Sequence, residues 1–298
     1  MLDAHREFAV PDESYFPVWL GRVRGRYERP EGFALERLID DLLAHESFGR
    51  WGLDGAEVAE ALRAAGPATF PDAVRAYYAA YARAHGKPRY ADKTPIFALH
   101  IPLLAAMFPE AVFVHVVRDG RDVVLSRMEA SWGSKQLEHE TLQWRSHIRT
   151  ARLDGSALGA ARYCEIRYEE LVDRTEEIAR RLCRFIGAEF DPAMLSYYER
   201  SQALVAAMVY PEEHGNLMRP PTKGLRNWRE QLVGPQLALF EALAGDTLRL
   251  FGYECASGAP AATVRARALQ ARSRYAASLQ YRRARGAAWR VLHPGSAA

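Results

Sequence analysis

The stretch from Val112 to Ser126 has the residue types and the spacing best suited to chemistry. It reads VFVHVVRDGRDVVLS, which is an apolar β-branched run, then Arg118, an Asp-Gly turn and the start of a helix. Ligands of open parallel sheets bind at the carboxyl ends of strands, and helix N-termini attract anions. Arg118 adds a planar fork of donors for phosphate oxygens, and Ser126 adds a hydroxyl. Geometry alone leaves an alternative open, in which Arg118 is a surface residue and the aspartate only caps the helix.

The surrounding elements predict an α/β fold, because helices alternate with short apolar strands along the chain. Such alternation is typical of a parallel sheet with both faces covered. Strands are expected at Val112–Val117 and Arg162–Arg167. Helical spacing of apolar residues, with glycine and proline at the ends, predicts the helices. They are expected at residues 32–45, 71–86, 101–107, 122–128, 169–186 and 227–251.

Composition excludes several classes of protein. The chain has 298 residues, 49% hydrophobic and 26% charged, which is ordinary for a soluble globular protein. It has no apolar run of about 18 residues and no signal-peptide core, so we expect a cytoplasmic protein, with an anchor upstream of Met1 as the alternative. Three scattered cysteines argue against a disulfide framework or a zinc site.

The C-terminal segment differs from the rest of the chain. Residues 264–290 hold eight arginines and no acid, so the overall charge of +3 leaves −5 for the remainder, which does not indicate a nucleic-acid binder. Residues 256–262 (ASGAPAA) predict a linker between a domain at 1–255 and a helical tail at 263–298. We expect a solvated tail that the domain does not need for folding. The alternatives are weak contact with an anionic lipid surface or with an acidic acceptor.

Several motifs, in order, resemble those of sulfotransferases that use 3'-phosphoadenosine-5'-phosphosulfate (PAPS). Arg118 followed eight residues later by Ser126 resembles the family's 3'-phosphate motif. Asp92-Lys93-Thr94-Pro95 resembles the lysine segment before that motif, and residues 163–172 (YCEIRYEELV) resemble its strand followed by Tyr-Glu. Lys223-Gly224 and the Asn227-Trp228-Arg229 run resemble its C-terminal region. The resemblance covers residues 1 to about 255.

The resemblance implies a P-loop NTPase-like, three-layer fold with a central parallel sheet, and a transfer of the sulfuryl group from PAPS to a hydroxyl. Glu13 matches the family's catalytic base, with His5 as the alternative, and Lys93 offsets developing negative charge. The implied nucleotide-binding residues are Arg118, Ser126, Tyr168 on the adenine side, Lys223 and Gly224. The product is PAP and no metal is required. The acceptor stays open between peptide, carbohydrate, lipid and small phenol.

The N-terminal residues resemble tyrosylprotein sulfotransferases and related bacterial enzymes at MLDAH (1–5) and PDES (11–14). In those enzymes this segment follows a first strand and an Arg-Ser-Gly-Thr-Thr type of loop that binds the 5'-phosphosulfate. The present sequence contains no such loop and no G-x-x-x-x-G-K-[ST] motif, so we expect the first strand to be missing and the activity to be impaired. A non-catalytic nucleotide-binding relative is the alternative. A P-loop kinase is disfavoured by the absent Lys-Ser/Thr loop.

Overall fold

The computed structural model describes residues 1–201, 205, 215–221 and 227–292. These residues form two compact units. The first unit combines residues 1–111 with 179–221, and the second combines residues 112–178 with 222–292. Both units are therefore discontinuous in sequence.

The first unit consists mainly of helices, with two small strand pairs. Its strands are β1 (Phe8–Ala9), β2 (Glu28–Arg29), β3 (Gly32–Phe33) and β4 (Arg89–Tyr90). β1 and β4 run parallel with Phe8 opposite Arg89, whereas β2 and β3 form an antiparallel hairpin. Its helices are α1 (Phe16–Trp19), α2 (Leu35–Leu43), α3 (Gly55–Ala65), α4 (Phe70–Ala84) and α5 (Ile101–Met107).

Helix α4 supplies much of the first unit's aromatic core. The Thr69 hydroxyl accepts the Asp72 N–H at 3.3 Å and so caps the helix at its N-terminus. Tyr77, Tyr78 and other apolar side chains of α4 are buried on one face. The Trp51 ring stacks on Tyr77 with 4.7 Å between centroids. The helix predicted from residue 71 onward is confirmed.

The second unit contains a pair of parallel strands, flanked by helices. Strands β5 (Phe113–Val117) and β6 (Tyr163–Arg167) pair over their full length, from Phe113 opposite Tyr163 to Val117 opposite Arg167. Its helices are α6 (Gly120–Glu129), α7 (Leu137–Ser156), α8 (Tyr168–Asp173), α10 (Trp228–Gln231), α11 (Gly234–Leu250) and α12 (Ala262–Leu292). Helix α9 (Thr175–Phe185) begins in the second unit and ends in the first. Both predicted strands and the α/β class are confirmed.

Three helix predictions were wrong in their extent. The helix expected from residue 227 to 251 is two helices, because Gly234 has φ +55° and Pro235, which lacks a backbone donor, lies in the first turn of the second helix. The helix expected from residue 169 to 186 is interrupted at Arg174, whose φ of −133° is not helical. Gly32 and Phe33 belong to the β2–β3 hairpin, so the first predicted helix begins only at Leu35.

The arginine-rich tail packs against the second unit's core. Ala268 is only 4% exposed, and Val264, Ala271 and Tyr275 pack beside it, so α12 has an apolar face that contacts the core. Arg272 donates to the carbonyl oxygens of Ala242 and Leu243 in α11, both at 3.0 Å. A wholly solvated tail was therefore the wrong expectation, because small apolar residues repeat on one face of this helix and fit closely against its neighbours.

Deletion of residues 259–298 is expected to lower the Tm of the protein by at least about 4 °C, since the deleted apolar face covers part of the core. Differential scanning fluorimetry of the full and shortened chains tests this. As a matched control, Arg274→Ala alters one charge of the same helix and is expected to leave Tm within about 1 °C. An unchanged Tm after the deletion would show that the domain does not need the tail for its stability.

Candidate active site

The loop that carries Glu13 is held by side chains from the α2–α3 connection. Arg50 donates to the Glu13 carbonyl oxygen at 2.9 Å and to the Asp12 carboxylate at 2.7 Å. The Trp51 indole N–H donates to the Asp12 carbonyl oxygen at 3.0 Å. These bonds satisfy the backbone of the loop and fix its position. A site built here would be preorganised.

Ser14 ties this loop to the segment that contains Lys93. Its backbone N–H donates to the Thr94 hydroxyl at 2.9 Å, and both residues are buried. Beside them, the Lys93 ammonium lies 2.8 Å from Glu13 Oε1. The structure thus brings together two predicted catalytic residues that lie 80 positions apart.

The Glu13–Lys93 pair can serve proton transfer and charge stabilisation. Exposure of the side chains is 24% for Glu13 and 60% for Lys93, so the carboxylate is held in place while the ammonium reaches into solvent. An exposed ion pair of this kind adds little stability. A carboxylate can accept a proton from a hydroxyl, and a nearby ammonium can offset negative charge that develops during a reaction.

Asp92, next to Lys93, is a buried carboxyl that receives a hydrogen bond from the Tyr78 hydroxyl at 2.5 Å. Burial raises the pKa of Asp92 above its usual range, against the opposing effects of hydrogen bonds and of Lys93. Burial also raises the pKa of Tyr78, so the phenol stays a donor at neutral pH. The fold therefore favours the neutral form of Asp92 more than water does.

The raised pKa predicts how stability changes with pH. The favourable contribution of a protonated Asp92 is complete below the unfolded-state pKa of about 3.9 and is lost as pH rises through the higher folded-state pKa. Asp92→Asn cannot ionise, so the Tm of the variant minus that of the parent should increase from about pH 4 to about pH 8. Thermal melts of both proteins across this range give the difference. A Tm difference that stays constant with pH would contradict a raised pKa of Asp92 in the folded protein.

The predicted phosphate turn lies at the end of β5. The Asp119 carboxylate accepts the Arg121 N–H at 2.9 Å and caps α6, so the capping reading is correct for this aspartate. A Cβ on Gly120 would lie 2.5 Å from the Trp144 ring, so only glycine fits here. The Glu169 carboxylate accepts the Asp119 N–H at 2.9 Å and thereby links the turn to the start of α8.

Arg118 has donors available for a phosphate. Its guanidinium carbon lies 4.8 Å from the centroid of the Tyr168 ring, and its nearest carboxylate, Asp122, is 3.7 Å away. Arg118 Nε is buried and has no hydrogen-bond partner among the residues that the structure describes. An orphaned guanidinium donor beside an aromatic ring fits a phosphate next to an adenine. Ser126 is half-buried further along α6.

A buried arginine beneath the turn was missed by the sequence analysis. Arg121 is 2% exposed and donates to Asp119 at 2.8 Å and to Glu241 of α11 at 3.0 Å. Its guanidinium lies 3.6 Å from the Trp228 ring centroid, and the backbone N–H of Trp228 donates to Asp122 at 3.1 Å. The repeated Arg-Asp in RDGRD was the available signal. These contacts fix the turn against the segment that begins at residue 227.

The remaining candidates are placed differently. Lys223 and Gly224 lie outside the described residues. His5 is fully buried, with one ring nitrogen 2.8 Å from the Glu189 carbonyl oxygen and the other accepting the Glu7 N–H at 3.0 Å, so it does not face a substrate.

The described residues contain no cluster of three or more histidines, cysteines or acids able to hold a metal. No helix among them has the length and apolar character to cross a membrane.

Comparison with known protein families provides a further observation. A family model described as "Sulfotransferase family" matches residues 1–192, more than half of the chain. The chain belongs to the sulfotransferase family. The predicted family is thereby confirmed. The matched range includes Glu13, Lys93, Arg118, Ser126 and Tyr168.

Individual members of the family are distant relatives. A putative protein-tyrosine sulfotransferase of Caenorhabditis briggsae is 26% identical over 200 residues, which are 64% of this chain and 70% of that protein. The similarly described protein of Caenorhabditis elegans is 28% identical over 138 residues, 44% of this chain and 52% of its own length. Protein-tyrosine sulfotransferase 1 of Danio rerio is 31% identical over 123 residues, 39% of this chain and 34% of its own length.

Two solved structures are also similar. The sulfotransferase domain from the curacin biosynthetic pathway superposes with a TM-score of 0.41 and 17% identity, over 65% of this chain and 70% of that one. The sulfotransferase domain of the Synechococcus PCC 7002 olefin synthase superposes with a TM-score of 0.45 and 19% identity, over 77% of this chain and 90% of that one.

Proposed function

We propose that this protein transfers the sulfuryl group of PAPS to an acceptor hydroxyl. The observation that carries the proposal is the 2.8 Å contact between Glu13 and Lys93 on a loop fixed by Arg50 and Thr94. Membership of the sulfotransferase family supports sulfuryl transfer as the kind of reaction. PAPS, when bound, supplies the sulfuryl group and leaves as PAP. Glu13 takes the proton that the acceptor hydroxyl loses, and Lys93 offsets the negative charge at the reacting group.

The described residues that we propose to bind the nucleotide belong to the second unit. Arg118 binds the 3'-phosphate through its guanidinium, whose Nε has no partner among the described residues, with Ser126 adding a hydroxyl, and Tyr168 lies on the adenine side. Lys223 and Gly224 complete this group in the proposal. Asp119 and Arg121 do not touch the phosphate, because their polar groups are used in holding the turn.

The acceptor proposed is a tyrosyl hydroxyl of a peptide, since the curated relatives are described as protein-tyrosine sulfotransferases. Carbohydrate, lipid and small phenol present the same reacting group and are the alternatives. A tyrosine-containing peptide and a generic phenol, compared as acceptors at equal concentration, distinguish a peptide site from a site that takes any phenol.

The experiment that tests the function is a calorimetric titration with PAP, with 5'-AMP as the control ligand because it lacks the 3'-phosphate. We expect PAP to bind at least tenfold more tightly than AMP. Equal affinity for PAP and AMP would contradict a binding site for the 3'-phosphate. No detectable binding of PAP would contradict the proposed function. PAP binding without turnover of PAPS, even after a strand and phosphate loop are added before Met1, would favour the non-catalytic relative.

Turnover by the 298 residues as printed is expected to be slow, because they contain no loop of the Arg-Ser-Gly-Thr-Thr type to hold the 5'-phosphosulfate. Among the described residues β5 pairs with β6 alone. Val112, Val114 and Val116 at this strand are 40%, 36% and 51% exposed, which leaves apolar surface for another element to cover.

A strand and loop from a related enzyme, about 15–30 residues placed before Met1, is therefore expected to raise PAPS turnover at least about 100-fold. The two proteins are compared side by side by PAP release. An extension of equal length with the loop glycine and threonines replaced is the matched control. Equal turnover by all three would show that another segment holds the phosphosulfate.

A further inference from the structure

Tyr15 has a backbone conformation that tyrosine rarely adopts. Its φ is +55° and its ψ is −41°, and it is the only residue other than glycine with positive φ among the residues described. The Phe16 N–H donates to the Ser14 carbonyl oxygen at 2.5 Å across it. This is a γ-turn of the strained, positive-φ type. Such outliers persist only where the surroundings enforce them, and they concentrate at functional sites.

The neighbours of Tyr15 on both sides are fixed by other parts of the first unit. Ser14 is held by Thr94, and the carbonyl oxygen of Glu13 is held by Arg50. On the other side, the Phe16 ring is 1% exposed and packs 5.7 Å from the Trp51 ring. The fold therefore imposes the turn. Glycine would adopt it without strain, so the presence of tyrosine points to a use for the side chain.

That side chain reaches the candidate base. The Tyr15 hydroxyl donates to Glu13 Oε2, while the Lys93 ammonium contacts Glu13 Oε1. Each carboxylate oxygen thus has its own partner. Burial, followed by the hydrogen bond to Glu13, raises the pKa of Tyr15, so its hydroxyl keeps its proton at neutral pH.

We propose that Tyr15 is a positioning residue that holds the Glu13 carboxylate in one orientation through its hydroxyl, and that the strained turn is retained for this contact. The inference rests on the proposed function, in which Glu13 accepts the acceptor's proton. Lys93 is exposed and attached by a flexible stem, so it can turn toward the charge at the reacting group. When the Lys93 ammonium turns away from Glu13, the Tyr15 hydroxyl still holds the carboxylate in its orientation. A base misplaced by about 1 Å loses about 100-fold in rate.

A double-mutant cycle tests the contact in the chain as it exists. Tyr15→Phe removes the hydroxyl, Glu13→Ala removes the carboxylate, and the stability of both single variants and the double variant is measured by urea unfolding. We expect the two losses not to add, because both changes remove the same hydrogen bond. Additive losses would overturn the proposal.

The kinetic arm uses whichever of the parent and extended proteins above turns over PAPS. Tyr15→Phe is expected to lower kcat about 10- to 100-fold, with KM for PAPS and acceptor within about twofold. Tyr27→Phe is the matched control: its hydroxyl donates to Asp41 at 2.6 Å in the same unit, away from Glu13, and its loss should leave kcat unchanged.

A third variant separates the strain from the hydroxyl. Tyr15→Gly relieves the turn, and its kcat should fall as far as that of Tyr15→Phe. A lower stability with unchanged kcat in Tyr15→Phe would make the contact merely structural and overturn the proposal. If no parent or extended protein turns over PAPS, the proposed function fails and the role of Tyr15 with it, even where the cycle shows coupling.

Discussion

Replacing Glu13 with glutamine is expected to lower the turnover of PAPS about 10²–10⁴-fold, which is the usual effect of removing a general base. Glutamine has nearly the same shape and still accepts a hydrogen bond, but it cannot take a proton. Affinity for PAP should stay within about twofold, because Arg118 and Ser126 are unchanged. The measurement is kcat from PAP release in the active form of the protein, together with a PAP titration.

Glu36→Gln provides the matched control for this variant. Glu36 forms an exposed pair with Arg63 at 2.6 Å in the first unit and takes no part in the loop of Glu13. Its kcat should equal that of the parent. If Glu13→Gln retains turnover within a few-fold of the parent, Glu13 is not the base. His5 would not replace it, because both of its ring nitrogens are engaged inside the fold.

Arg118→Ala is expected to weaken PAP binding by about 2–4 kcal/mol, or about 30- to 900-fold. The expected loss is large because, in the proposed function, the variant removes a charged fork with an unpaired buried donor from the 3'-phosphate. Ser126→Ala, which removes a neutral donor, should cost only about 1 kcal/mol. Calorimetric titration of each variant with PAP measures both losses.

The same titration with 5'-AMP shows whether the contact is to the 3'-phosphate, since AMP affinity should fall much less in Arg118→Ala. Arg174→Ala is the matched control, because Arg174 is half exposed in the same unit and pairs with Glu170 and Glu177. Unchanged PAP affinity in Arg118→Ala would remove this arginine from the site.

The strand, turn and capped helix around Arg118 could be predicted from the sequence because their signals are local. A β-branched run forms β5, and Asp119 caps the following helix. The pairing of Glu13 with Lys93 could not be found from spacing, because 80 residues separate them, and only the family resemblance named both. The predicted extents of helices were wrong where the backbone conformation of one residue ends a helix. At Gly234, a positive φ interrupts an otherwise continuous helical pattern.

Two supporting residues escaped prediction for a different physical reason. Arg121 reads as a solvated charge, and its burial depends on Glu241, whose position only the tertiary fold determines. The turn at Tyr15 is likewise imposed by contacts to Arg50 and Thr94, because no local preference of tyrosine favours positive φ. Sequence patterns therefore identified the residues proposed to contact the substrates better than the residues that hold those side chains in position.

The buried contact between Arg121 and Glu241 constrains how the chain can fold as it leaves the ribosome. The guanidinium of Arg121 finds its second carboxylate 120 residues later, and the backbone N–H groups of Ala256 and Ser257 join the same carboxylate at 2.8 Å. Until α11 has been synthesised, closing the core around Arg121 would bury a charge without one of its partners. The phosphate turn is therefore expected to reach its final form late in translation. A nascent chain stalled before residue 234 should then leave this turn sensitive to protease, whereas release of the whole chain should protect it.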